Sequence, residues 1–163
     1  MEDLSLHVMD IVENSITAAA SRVEILIVED NGRDILSIEV KDDGEGMEAE
    51  ARDRVRDPFY TTRTTRRVGL GVPLLAQAAR ESDGTFEIES EPGKGTTVRA
   101  SFRHSHPDRK PLGDMLGTIR MIAAAMPELE LIFEHRVNDS VYRFDTRDSK
   151  KKTPEARPEV GGR

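Results

Sequence analysis

Helical spacing brings Asp10 and Asn14 to one face, a turn apart. An amide oxygen can serve as a ligand to Mg²⁺, which takes oxygen donors and fills its remaining positions with phosphate and water. A carboxylate one turn away can orient or deprotonate a water. Alone, the pair is also what the solvated face of any amphipathic helix carries. A second group, Asp42-Asp43-Gly44-Glu45-Gly46-Met47, follows directly on a strand-like run. Gly44 and Gly46 let backbone approach a flat ligand closely. A buried acid there is an acceptor for an exocyclic amino group such as that of adenine. An Asp/Gly surface turn has the same composition, whereas a calcium loop is a poor match, since its glycine comes too early and no bidentate Glu follows in place. A third group runs from Pro58-Phe59-Tyr60-Thr61-Thr62-Arg63 to Val68-Gly69-Leu70-Gly71. Gly-Leu-Gly opening a helix offers free N–H groups and a positive dipole end to phosphate, and Arg63, Arg66 and Arg67 add charge-assisted contacts. The Lys-Ser/Thr of the Walker pattern is missing, as is the third glycine of the dinucleotide fingerprint. The fourth group, Gly93-Lys94-Gly95-Thr96-Thr97, reads as a glycine turn between strands.

These groups need elements to hold them. Leu4, Val8, Ile11, Val12, Ser15, Ile16 and Ala19 recur at helical period, predicting a helix over 3–20. Strands are predicted at 22–29 and 34–41, with Asn31-Gly32 as a hairpin signal between them. The apolar period then lapses from 42 to 71 apart from a short helix near 49–55; so long an irregular stretch is either functional or disordered. A helix from Val72 to Glu81 has Pro73 in its first turn, where proline is tolerated, and strands follow at 85–91 and 96–103. His104–Pro111 reads as a linker. Leu112, Met115, Leu116, Ile119, Ile122, Ala123 and Met126 then form a helical stripe stopped by Pro127, and 129–135 with 141–144 read as a hairpin around Asn138-Asp139. The expected organisation is a domain over 1–104, a helix-hairpin extension over 105–146 packed on it, and a disordered charged tail over 147–163.

Composition excludes several functions. The chain has no Cys, so disulfides, thiolate zinc sites and thiol catalysis are out. Lys and Arg total 24 against 31 Asp and Glu, a net charge of −7, and there is no Trp. This argues against nucleic acid as a partner. No apolar run reaches membrane-spanning length and the acidic N-terminus is unlike a signal peptide, so a cytoplasmic protein with no membrane association is expected.

In this order and spacing the four groups resemble the ATP-binding domain of the GHKL (Bergerat-fold) superfamily, which includes histidine kinases, type II topoisomerase ATPase domains, the ninety-kilodalton heat-shock chaperone and MutL. VMDIVENSITAAASR at 8–22 is similar to its N box and DDGEGM at 42–47 to its G1 box. DPFYTT at 57–62 with VGLGVPLL at 68–75 is similar to the F and G2 boxes, and the PGKGTT ending to the G3 box. The likeness covers about 4–103 and is closest to the catalytic domain of histidine kinases, here as a stand-alone module. It implies an α/β two-layer sandwich, with a mixed, mostly antiparallel sheet and helices on one face. It implies ATP and Mg²⁺ as cofactors. Asn14 would ligate the metal, and Asp10 stands where hydrolysing members carry a catalytic Glu. Asp42 would accept from the adenine amino group with Thr96 nearby, Gly44 and Gly46 would admit the base, and Phe59 would anchor a lid. Gly69, Leu70 and Gly71 would wrap the phosphates, and Met47, Thr62 and Arg63 complete the candidate contacts.

Departures from the family pattern bear on activity. Asp10 is a methylene shorter than Glu, Thr17 replaces a phosphate-binding Lys, Arg67 replaces the first Gly of a longer glycine pattern, and the lid from Thr61 to Val68 is short and basic. No helical pair bearing a phosphoacceptor His precedes the N box, so a phosphoacceptor is expected on a partner protein. His7 is expected near the polar face of the first helix, and His135 in a structural role. The resemblance thus implies an Mg-ATP-binding regulatory module acting on or through a partner by phosphotransfer in trans. A non-catalytic ATP sensor and a weak ATPase using Asp10 as base are the alternatives.

Overall fold

The computed structural model describes residues 3–54 and 71–148. The first helix, α1 (Leu4–Thr17), starts where the Asp3 carboxylate accepts from Leu6 N–H at 3.3 Å. It ends three residues short of the expected position. Ala19 adopts φ +66°, and the N–H groups of Ala19 and Ala20 bond back to the carbonyls of Ile16 and Ser15. This is a Schellman closure with alanine in the left-handed position usually given to glycine. The alanines favour helix, but the chain must turn here to enter β1, and tertiary demand overrides propensity.

Strands β1 (Arg22–Asp30) and β2 (Ile35–Asp42) form an antiparallel hairpin. Asn31-Gly32 marks the turn correctly but not its type: four residues bridge Asp30 and Ile35, and the positive φ falls on Asp34. After α2 (Ala49–Arg54) and α3 (Gly71–Glu81) come β3 (Phe86–Glu91) and β4 (Gly95–Arg103). Then follow α4 (Met115–Ala125), β5 (Glu130–Val137) and β6 (Ser140–Asp145). The strands form one open sheet in the order β3-β4-β2-β1-β5-β6, antiparallel throughout except for the β1/β5 pair.

Period-two alternation gives the sheet one apolar face. Val23, Ile25 and Ile27 of β1, Leu36, Ile38 and Val40 of β2, Val98, Ala100 and Phe102 of β4, and Leu131 and Phe133 of β5 are buried there. Leu4, Val8, Ile11 and Val12 of α1, Leu75 and Ala79 of α3, and Met115 and Ile119 of α4 join the same core. The opposite face is charged; Arg99 there reaches Glu39 and Glu89 at 3.1 and 3.2 Å. The architecture is therefore the expected two-layer α/β sandwich. No helix among the described residues is long and apolar enough to cross a membrane.

His7 differs from expectation. It is 4% exposed, because it shares the spacing of Leu4 and Ile11 and so falls on the buried side of α1. The stretch after β4 is firmly held. The carbonyls of Pro111 and Leu112 accept from Leu4 and Ser5 N–H, satisfying donors that every helix start leaves free. Ser105 donates twice to Asp34. Glu29 bonds His104 Nε2 through one oxygen at 2.8 Å and His135 Nε2 through the other at 2.7 Å, tying β1 to that stretch and to β5. Burial pushes the Glu29 carboxyl up, but the hydrogen bonds and charges of the two histidines outweigh it and hold it below its ordinary value. A carboxyl so depressed contributes stability above its unfolded-state value and loses it as pH falls through the folded-state value. Glu29→Gln is therefore expected to lower the urea midpoint at about pH 7, and the gap to wild type should narrow as the pH falls below the ordinary glutamate range. A gap constant across that range would contradict this account.

Candidate functional site

The α1 helix passes over the ends of β2 and β4, and the space between them is a cavity of about 370 Å³. That volume lies within the range of small-molecule sites. Ile11, Asn14, Ser15 and Ala18 of the α1 region form one wall, Val40, Asp42, Thr96 and Val98 the sheet side, and Glu45, Gly46 and Met47 the adjoining loop. Val72, in the first turn of α3, closes a further side.

Asp42 is the last residue of β2 and stays in phase with buried Leu36, Ile38 and Val40, so its side chain comes to the apolar face. It is partly buried and wired on both oxygens. Ser15 Oγ donates to Oδ2 at 2.6 Å, and Gly44 N–H donates to Oδ1 at 2.9 Å. Each oxygen keeps a lone pair for a further donor. The adjacent acid has another task. Asp43 accepts from Ser21 N–H and Oγ and from Arg22 N–H, fastening the entry to β1. Burial raises the Asp43 carboxyl, but these hydrogen bonds lower it further, leaving it below its usual value.

The glycines of the second and fourth groups meet each other. A Cβ on Gly46, at φ +74°, would overlap the Glu91 carbonyl oxygen, and a Cβ on Gly95, at φ +93°, would overlap that of Asp42. Gly93 N–H donates to Glu45 O at 2.6 Å, and Met47 N–H to Ser90 Oγ at 2.8 Å. At both positions the structure shows backbone packed on backbone, which holds the loop after β2 against the β3–β4 turn.

Asn14 lines the cavity, and its Nδ2 is buried with no hydrogen-bond partner among the described residues. A buried amide N–H₂ at the wall of a hollow is a donor that can meet an acceptor placed there. Asp10 lies one turn earlier, partly buried, and is not part of the cavity wall. Gly71 is the first residue of α3. Phe59, Thr62, Arg63, Gly69 and Leu70 lie outside the described residues. Among the described residues no group of three or more His, Asp and Glu side chains is placed to hold a metal ion. Asn14 fits a cation that draws its other ligands from phosphate and water.

Two site residues escaped the sequence reading. Ser15 was counted with the apolar stripe of α1, and a hydroxyl in such a stripe was the available signal. Ser90 is buried in phase with Ile88 and faces Thr96, 2.7 Å away, across the β3/β4 pair. A serine at a buried strand position was the corresponding sign.

A family model for histidine kinase-, DNA gyrase B- and HSP90-like ATPases matches residues 2–106. Among curated proteins, the sensor histidine kinase YxdK of Bacillus subtilis is 35% identical over 106 residues, covering 61% of this chain and 32% of that protein. Sporulation kinase C of the same organism is 35% identical over 91 residues, covering 56% and 21% respectively. A putative sensor protein of Shewanella frigidimarina is 31% identical over 111 residues, covering 66% and 17%. The matches thus span a third or less of these relatives' own lengths. The matched span covers well over half of this chain and includes every wall of the cavity, so the chain belongs to the histidine kinase-, DNA gyrase B- and HSP90-like ATPase family and carries a histidine-kinase-like ATP-binding module.

Proposed function

We propose that the cavity holds Mg-ATP and that the module regulates a partner protein, passing the terminal phosphoryl group to an acceptor on that partner and leaving ADP. The observation that carries this reading is the Asp42 carboxylate, fixed on both oxygens at the edge of an apolar hollow with lone pairs to spare. A purine ring would lie against Ile88, Val98, Val40 and Met47, with its amino group toward Asp42. Asn14 would give one oxygen to Mg²⁺, which would neutralise phosphate charge. The N-terminus of α3 would face the phosphates. Positioning and charge neutralisation supply most of the catalysis in phosphoryl transfer, so the module needs little chemistry of its own.

Asp42→Asn sets an amide donor against the purine amino group and should weaken ATP about 10- to 100-fold by calorimetry, with the circular dichroism spectrum unchanged. Equal affinity of wild type and variant would remove the site. Asn14→Ala should reduce only the magnesium-dependent part of the binding; equal losses with magnesium and with a chelator would show that Asn14 does not serve the metal.

Asp10 separates phosphotransfer from hydrolysis. It stands one turn before Asn14 on α1, and substituting it distinguishes a module that transfers or senses from one that hydrolyses. On the phosphotransfer reading, Asp10→Asn is expected to leave ATP affinity unchanged within about twofold and to have no effect on phosphate release measured with the chain alone. Release of phosphate by the wild type that this substitution abolishes would establish the ATPase reading instead.

A further inference from the structure

A second hollow, of about 520 Å³, lies between α1 and α4, on the flank of α1 turned away from Asn14. Buried Val12 and Ile122 form its floor, and Met9, Ile16 and Met126, partly buried, form its walls. Met121, 55% exposed, stands at the mouth with exposed Glu13. Because α4 lies beyond the family match, which ends at residue 106, this hollow is not part of the ATP-binding module. Its chemistry selects an occupant. Both sides are helices, and exposed Met121 and Ala125 leave it an open trough between them. A third helix laid along two packed helices fills such a trough with a ridge of side chains. Three of the chain's six methionines line it. Their unbranched, polarisable side chains adapt to the apolar stripe of an incoming helix. Glu13 is the one ionisable group among the described lining residues. A helix with Lys or Arg beside its apolar stripe gains an opposite charge there, and an acidic one is repelled. A second copy seated trough to trough about a two-fold axis would instead turn Glu13 toward its own equivalent.

We propose that the α1/α4 trough is a docking site for an amphipathic helix of a partner protein, one that carries a basic residue beside its apolar stripe and sets it against Glu13. The docked helix would bear on the same α1 that holds Asn14 and Ser15 at the ATP cavity, with Thr17 bordering both hollows. The site does not depend on what the ATP cavity binds, so it is tested without nucleotide.

The probe is a pair of synthetic peptides of about 15 residues with leucine along one helical stripe, one bearing lysine and the other glutamate beside that stripe. Fluorescence anisotropy of the labelled peptides with the full chain should show saturable binding, with the lysine peptide about fivefold tighter. Glu13→Lys should reverse the preference, and Met121→Glu should weaken both peptides about tenfold or more. Both positions are exposed, so neither substitution opens the core. Absence of saturable binding, binding that Met121→Glu leaves unchanged, or a lysine preference that survives Glu13→Lys overturns the proposal. So does a wild-type dimer in sedimentation velocity that Met121→Glu dissociates, since the trough would then belong to a second copy. None of these outcomes bears on ATP, whose binding is read by its own calorimetry.

Discussion

Everything at the site depends on a carboxylate held in place before any ligand arrives. Asp42 takes a hydrogen bond from the helix above it and another from the loop beyond it, so its orientation is set by two independent segments. Leaving a partly buried acid without such partners would be costly. With them it becomes a preformed acceptor at the rim of an apolar hollow. Preorganisation of this kind lowers the ordering cost of binding. It also fixes where a flat ring must lie, because the donor that meets Asp42 determines the plane of the rest.

The same segments are joined around that carboxylate by backbone contacts. Ala18 O, just past the end of α1, accepts from Glu45 N–H, and Glu45 O accepts from Gly93 N–H. Gly46 and Gly95 sit where carbonyl oxygens of the neighbouring segment fill the space of a side chain. Helix end, loop and hairpin turn thus form one joint, although nearly eighty residues separate its first and last parts. The glycine-rich pieces that look like separate ligand loops in the sequence are in the structure mostly partners of one another.

That difference shows what the sequence could and could not convey. Helical and two-residue periods located the elements because burial on one face writes those periods directly into residue type. The two-layer architecture and the grouping of Asn14, Asp42 and Thr96 around one site were implied by the resemblance of the four motifs to the GHKL superfamily, and periodicity alone does not supply them. Element ends were less legible: α1 stops early because β1 must begin, which no property of Ala18–Ala20 announces. The division of labour between Asp42 and Asp43 appears only when strand phase is fixed, since both are acids beside a glycine. Ser15 and Ser90 were passed over because a small polar residue on a buried face resembles filler until its partner is known. His7, with both polar and apolar neighbours in sequence, was assigned to the wrong side of its helix.

The boundary of the family match is not a boundary of the core. The matched span ends at residue 106, yet Met115, Ile119, Leu131 and Phe133 belong to the same apolar cluster as Leu4, Val8 and Ile25. β5 pairs in parallel with β1 over its whole length, which occupies hydrogen-bonding groups that would otherwise form an open sheet edge. Pro111 and Leu112 complete the first turn of α1, the helix that carries Asn14 and Ser15. The residues beyond the family span therefore act on the site through α1. They cap its start and cover its flank, and so help set the position from which Ser15 reaches Asp42.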